Sequence, residues 1–113
     1  NVFQYTPGEI EPGSYEFATS SRQEQLDAFV ETYFSGFGDV KIVYGGDLGA
    51  GKFGRFDNGV ITIGEQAFQM GWEEVGKTLL HEWLEQYRGD LTHEQIIELE
   101  KLWLEWYDSQ QQP

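Results

Sequence analysis

The chain of 113 residues contains no cysteine. This absence excludes disulfides, cysteine-ligated metal sites and cysteine nucleophiles. No segment approaches the roughly 18 consecutive apolar residues of a membrane-spanning helix, and no charged-then-apolar leader is visible, so we expect neither a span nor a signal peptide. The length suits a single domain, residues 1–113. Because the chain begins at Asn1 without Met, we expect it to be a piece of a longer protein.

Lysine and arginine are also scarce: there are 7 of them against 20 Asp and Glu, a net charge of −13. Direct binding of nucleic acid is not expected, since it needs basic side chains that replace counterions along the phosphates. An acidic domain of this size is typically an ordinary soluble domain, a cation binder, or an inhibitor that occupies a basic partner's site. Composition alone does not choose among these three.

Turn and cap signals divide the first part of the chain. Short alternations at Val2–Tyr5 and Tyr15–Phe17 suggest strands, with an N-terminal arm over residues 1–19 as the alternative. The capping box Ser21-x-x-Glu24 predicts the start of a helix that ends near Gly36. The β-branched and aromatic run at Val40–Tyr44 predicts a strand.

A glycine-rich loop and a hairpin follow. Phe53 stands where a phosphate-binding loop needs Ser or Thr, so a nucleotide site is not predicted. Asp47 in this loop is interpreted as a turn residue, with contact to a cation as the alternative. Asn58-Gly59 predicts a tight hairpin between strands at Lys52–Phe56 and Val60–Ile63.

Two helices are predicted at the end of the chain. The first spans Gly71–Gly89, and the second is capped by Thr92-x-x-Gln95 and runs to about Tyr107, followed by a frayed tail at residues 108–113. The fold class is therefore α+β: a small, mainly antiparallel sheet with a β-hairpin, an N-terminal helix and two C-terminal helices. The helical stripes and strands predict a common core of Phe29, Val30, Phe34, Ile42, Ile61, Leu79, Leu80, Trp83, Leu99 and Trp103.

The first C-terminal helix carries His81-Glu82-x-x-Glu85 on its wetter side. His81 and Glu85 are four residues apart and lie one helical turn from each other. In H-E-x-x-H helices two His bind zinc and the Glu is the general base. Here Glu85 occupies the second His position, and carboxylate oxygen is also a zinc ligand.

Glu100 lies within the apolar arc of the last helix, and His93 lies seven residues earlier on nearly the same line. A buried carboxylate is costly unless it is paired or binds a metal. One explanation is a third metal ligand beside His81 and Glu85, with His93 as the alternative ligand and Glu82 as the base. The alternatives are a position at the edge of the apolar arc, or an ion pair with a nearby cation, for which the candidates are Lys41, Lys52, Arg55 and Arg88.

Residues from about 40 to 90 resemble the small zincin-type metallopeptidase domains at the C-termini of bacterial polymorphic and contact-dependent-inhibition toxins. The resemblance rests on the strand Val60–Gly64, on Ala67-Phe68, and on the string Thr78-Leu79-Leu80-His81-Glu82. It implies a minimal zincin-like fold with zinc, peptidase-like hydrolysis with Glu82 as the base, and a protein substrate or a cognate immunity protein as partner. It also implies export within a larger protein and delivery into a target bacterium. Glu85 departs from the family's second His, so a non-catalytic relative is an alternative.

Three hypotheses about function follow. The first is a metal-dependent, peptidase-like hydrolase. The second is a non-enzymatic acidic binding protein, either an immunity protein or an inhibitor that mimics nucleic acid. The third is a nuclease toxin domain, which the scarcity of Lys and Arg disfavours.

Overall fold

The computed structural model describes residues 15–112, with side chains from residue 22 onward. These residues form four α-helices, one short 3-10 helix and three strands. In chain order they are α1 (Tyr15–Tyr33), the 3-10 helix (Ser35–Phe37), β1 (Lys41–Gly46), β2 (Gly54–Asp57), β3 (Val60–Gly64), α2 (Glu65–Met70), α3 (Trp72–Tyr87) and α4 (His93–Gln111). The α+β class, the hairpin, the N-terminal helix and the two C-terminal helices are confirmed.

Helix α1 begins earlier than predicted. Tyr15–Phe17 is helical, so the prediction of a strand there is wrong, and Ser21 lies inside the helix instead of capping it. No Gly or Pro occurs in residues 15–33, so nothing in this stretch breaks the helix. The predicted strand Val2–Tyr5 and the first part of the predicted arm lie outside the described residues.

Helix α4 ends later than predicted. Its N-terminus has the expected capping box, in which the Thr92 side chain accepts from the Gln95 backbone and the Gln95 side chain accepts from the Thr92 backbone. The helix continues to Gln111, so residues 108–111 are helical and not part of a frayed tail. The Gln111 side-chain amide donates to the Tyr33 hydroxyl at 3.0 Å, which ties this last turn to α1.

The sheet has the order β1-β3-β2. Strands β2 and β3 form the predicted antiparallel hairpin, and both residues of its turn, Asn58 (φ 51°) and Gly59 (φ 77°), have the positive φ that such a turn requires. Strand β1 pairs with β3 in parallel, so the sheet is mixed, with one antiparallel and one parallel pair. The parallel pair arises because the loop after β1 carries the chain to the far edge of the sheet, where β2 forms. β3 then returns to the centre, between β1 and β2.

The core lies between the sheet and the helices. Ile61 and Ile63 of the central strand are fully buried, together with Val75 and Leu79 of α3 and, almost completely, Phe68 of α2. The segment after β3 contributes Phe68 because it forms helix α2. Of the predicted core, Phe29, Phe34, Ile61 and Leu79 are buried, whereas Val30, Ile42, Leu80, Trp83 and Trp103 are partly buried against it.

Leu99 was predicted in the core and is exposed. The buried residues of α4 are Ile96, Glu100 and Tyr107.

Helices α3 and α4 run antiparallel and are in close contact at Gly76. The Trp103 indole lies over this glycine, and a methyl group at position 76 would overlap the ring. Five residues further along α3, His81 faces Glu100 of α4. The pairing of the two helices therefore brings together residues that the sequence separates by 19 positions.

A buried charged cluster joins α1, β1 and α2. Arg22 is 1% exposed, and its guanidinium donates to both carboxylate oxygens of Glu65, at 3.0 and 2.7 Å. The Tyr44 hydroxyl donates to Glu65 at 2.7 Å, and Arg22 also lies over the Phe68 ring. Sequence analysis missed this cluster, although Arg22 precedes Leu26 by four residues and Phe29 by seven. The positive charge of Arg22 on the apolar side of the helix was the signal that could have revealed a buried ion pair.

Glu65 makes stability depend on pH. Burial alone would raise the pKa of its carboxyl, but the hydrogen bonds from Arg22 and Tyr44 outweigh burial and hold the pKa below its usual value. A lowered folded-state pKa contributes stability above the unfolded pKa of about 4.3 and loses it as the pH falls through the folded pKa.

We expect urea unfolding to show a smaller loss of stability below pH 5 in Glu65→Gln than in the wild type. Glu24→Gln, an exposed residue of α1, serves as the control. Equal pH dependence in wild type and Glu65→Gln would contradict this role.

No helix among residues 15–112 is both long and apolar enough to cross a membrane.

Candidate active site

A cavity of about 320 Å³ opens between α3, α4 and the loop that leads into β2. The carboxylates of Glu74, Glu82 and Glu100 and the imidazole of His81 line it. The remaining lining residues are Gly51, Lys52, Phe53, Gly54, Lys77 and Thr78. The predicted site residues His81, Glu82 and Glu100 therefore share one concave surface.

His81 lies between two carboxylates. Its Nδ1 is 2.5 Å from Glu100 Oε2, and its Nε2 is 3.0 Å from Glu85 Oε2. Glu85 reaches the ring because it is one turn further along α3, and Glu100 reaches it because α4 packs antiparallel on α3. The predicted ion pair of Glu100 with Lys41, Lys52, Arg55 or Arg88 is wrong, since its partner is His81 and Arg88 pairs with Asp90.

This arrangement determines which protonation state the ring favours. A neutral imidazole has one N–H and can donate to one carboxylate only, whereas an imidazolium donates to both. Burial lowers the pKa of His81, but the hydrogen bond to Glu100 and the negative charges of Glu85, Glu100 and Glu82 outweigh it, so the pKa is raised. The protonated ring is therefore stabilised between Glu85 and Glu100.

Glu82 differs from the other carboxylates of the cavity. Within the described part of the chain it accepts no hydrogen bond, while Glu74 accepts from Thr78 at 3.1 Å and Glu100 contacts His81. Burial and, secondly, the charge of Glu85 raise the pKa of Glu82, against the opposing effect of His81. Glu82 is thus a half-buried carboxylate that lines the cavity and accepts no hydrogen bond from the described residues.

The donor set fits zinc only in part. Two ligands about 2.0–2.1 Å from one tetrahedral zinc are roughly 3.3 Å apart, close to the 3.0 Å between His81 Nε2 and Glu85. Glu100 faces the opposite ring nitrogen, where carboxylates typically orient a ligating imidazole without touching the metal. His93 is exposed, with its ring centroid 6.0 Å from that of His81.

Among residues 15–112, no group of three or more His, Cys, Asp or Glu side chains is arranged to hold a metal ion. A catalytic zinc site has three protein ligands, and His81 and Glu85 would account for two of them. The ligand set His81, Glu85 and Glu100 or His93 stays a prediction.

The loop before β2 and the first turns of α3 are parts of the site that sequence analysis missed. Phe53 and Gly54 line the cavity together with His81, and Gly54 lies against Thr78, which a side chain at position 54 would overlap. Thr78 is also tied to Glu74, which pairs with Lys77 at 3.4 Å. The spacing of Glu74, Thr78 and His81 on one side of α3 was the signal that could have identified them.

The comparisons with known proteins add no relative. The chain matches no model of a known protein family, no curated protein and no solved structure.

Proposed function

We propose that this domain is a hydrolase whose active site is the cavity between α3 and α4. The observation that carries the proposal is the placement of Glu82. This carboxylate, which accepts no hydrogen bond from any described residue, lines the same cavity as a histidine fixed by a second carboxylate. A base and an acid within one concave site are what hydrolysis of a carbonyl compound requires.

The roles follow from the positions. Water in the cavity attacks the substrate carbonyl carbon and gives a proton to Glu82. The bond to the leaving group breaks, and that group takes up a proton from His81 or from the now protonated Glu82. Glu100 holds the His81 ring through Nδ1, and the proton is exchanged at Nε2, which gives up its contact with Glu85 when the leaving group takes the proton. Glu100 acts here as a positioning residue.

The resemblance of Thr78–Glu82 to zincin-type toxin domains narrows this proposal to a peptidase-like, zinc-dependent toxin domain. The partial fit of the ligands makes zinc the first property to test. A zinc ion on Nε2 of His81 would have to displace the proton that Glu85 stabilises there, since only the neutral nitrogen is a ligand.

The test is zinc content after dialysis against buffered zinc, measured by mass spectrometry of the metal. If the hydrolase is zinc-dependent, we expect one equivalent of zinc in the wild type and none in His81→Ala. Glu94→Ala, at an exposed position of α4, is the control and should retain its zinc. A wild-type protein without zinc overturns zinc dependence. The hydrolase proposal then stands only if chelator-resistant cleavage of an unfolded protein substrate requires Glu82.

The acidic binding protein is the second candidate, and the net charge of −13 favours it. In that case the cavity has no catalytic role. Full biological activity in both His81→Ala and Glu82→Gln would support this second function and contradict the first.

A further inference from the structure

Helix α4 presents an exposed apolar stripe on a side away from the cavity. Leu99, Leu102 and Trp106 recur at a spacing of three and four residues and are 36%, 51% and 43% exposed. Their spacing places them along one line of the helix, about a third of a turn from Glu100. We call these three residues the α4 stripe.

The α4 stripe has a charged border. The exposed charged residues of α4 are four carboxylates, Glu94, Glu98, Glu105 and Asp108, against one lysine, Lys101. Glu98 and Glu105 are one residue before Leu99 and Trp106, so they lie beside the stripe. Trp106 is held in place at the other border, where its ring packs edge-on against Tyr33 at 5.8 Å between centroids.

We infer that the α4 stripe is a docking surface for a basic protein segment that presents an apolar strip edged by Lys or Arg, as one face of an amphipathic helix does. The apolar side chains supply the contact area, and the acidic border selects the charge of the partner. This inference does not depend on the proposed hydrolase activity, because no residue of the stripe lines the cavity.

Charge argues against the other occupants. A second copy of this chain would bring together two surfaces of net charge −13. Residues 1–14 contain Glu9 and Glu11 and no Lys or Arg, so they offer no complementary charge. An anionic membrane surface is repelled by the same carboxylates.

The experiment uses a fluorescently labelled Leu/Lys amphipathic helical peptide as the probe, with a Leu/Glu peptide of the same pattern as the control ligand. Anisotropy is measured with the full chain and with two variants. Leu102→Ser removes the centre of the α4 stripe, and Ile97→Ser is the matched control, since Ile97 is 46% exposed on another side of α4.

We expect the Leu/Lys peptide to bind the wild type and Ile97→Ser equally, and Leu102→Ser roughly tenfold more weakly. Binding should weaken with added salt. No binding of the Leu/Lys peptide, equal affinity in Leu102→Ser and Ile97→Ser, or equal binding of the Leu/Glu peptide overturns the inference. Sedimentation of the protein without peptide tests for self-association. A wild-type dimer that becomes a monomer in Leu102→Ser would assign the α4 stripe to a second copy of the chain and would also overturn the inference.

Discussion

Replacing Glu82 with Gln is expected to lower hydrolysis by roughly 100- to 10,000-fold, the usual contribution of a general base. The Gln amide has nearly the same size and shape as the Glu carboxylate, but it is not basic enough to accept a proton from water. Because Glu82 accepts no hydrogen bond within the described chain, little folded-state interaction is lost. The measurement is the cleavage rate of an unfolded protein substrate, with circular dichroism to confirm the fold.

Glu74→Gln is the matched control for this replacement. Glu74 lines the same cavity, and its replacement removes the same charge, but Thr78 and Lys77 occupy its oxygens. We expect Glu74→Gln to retain most of the activity. If the two variants lose activity equally, Glu82 contributes charge to the cavity and not a base.

Replacing Leu79 with Ala is expected to destabilise the domain by about 2–5 kcal/mol, as for other fully buried leucines. Leu79 is 0% exposed and packs in the core with Ile61, Ile63 and Val75. Leu80, the next residue of α3, is only partly buried at the border of this core. Leu80→Ala removes the same atoms from a less enclosed place and should cost less.

Urea unfolding of both variants measures this difference directly. The two replacements change helix propensity equally, so the comparison isolates burial. If Leu80→Ala costs as much as Leu79→Ala, the core extends further around α3 than the structure shows.

The local elements of the fold were predictable because their signals are local. The Asn58-Gly59 turn and the Thr92 capping box each depend on a few adjacent residues, and both are confirmed. The pairing of β1 was not predictable in the same way. Whether β1 joins the sheet beside β3 or beside β2 is decided by packing across the whole domain, so the parallel pair was missed.

The site was predictable in its residues and not in its geometry. The i, i+4 spacing of His81 and Glu85, and a carboxylate within an apolar arc at Glu100, identified three groups that lie together. Spacing does not specify which ring nitrogen each carboxylate faces. It also did not reveal the loop at Phe53, which reaches the cavity through tertiary structure alone.

Gly76 determines the register of the two C-terminal helices. The Trp103 indole lies over this glycine, and the next turn of α3 in either direction offers no second glycine. If α4 slid along α3 by one turn, about 5.4 Å, Trp103 would leave its place over Gly76. Ile96 or Leu104 would then stand where Glu100 now meets His81. The alignment of the polar groups is therefore fixed by a residue without a side chain, about 7.5 Å along α3 from the histidine it serves.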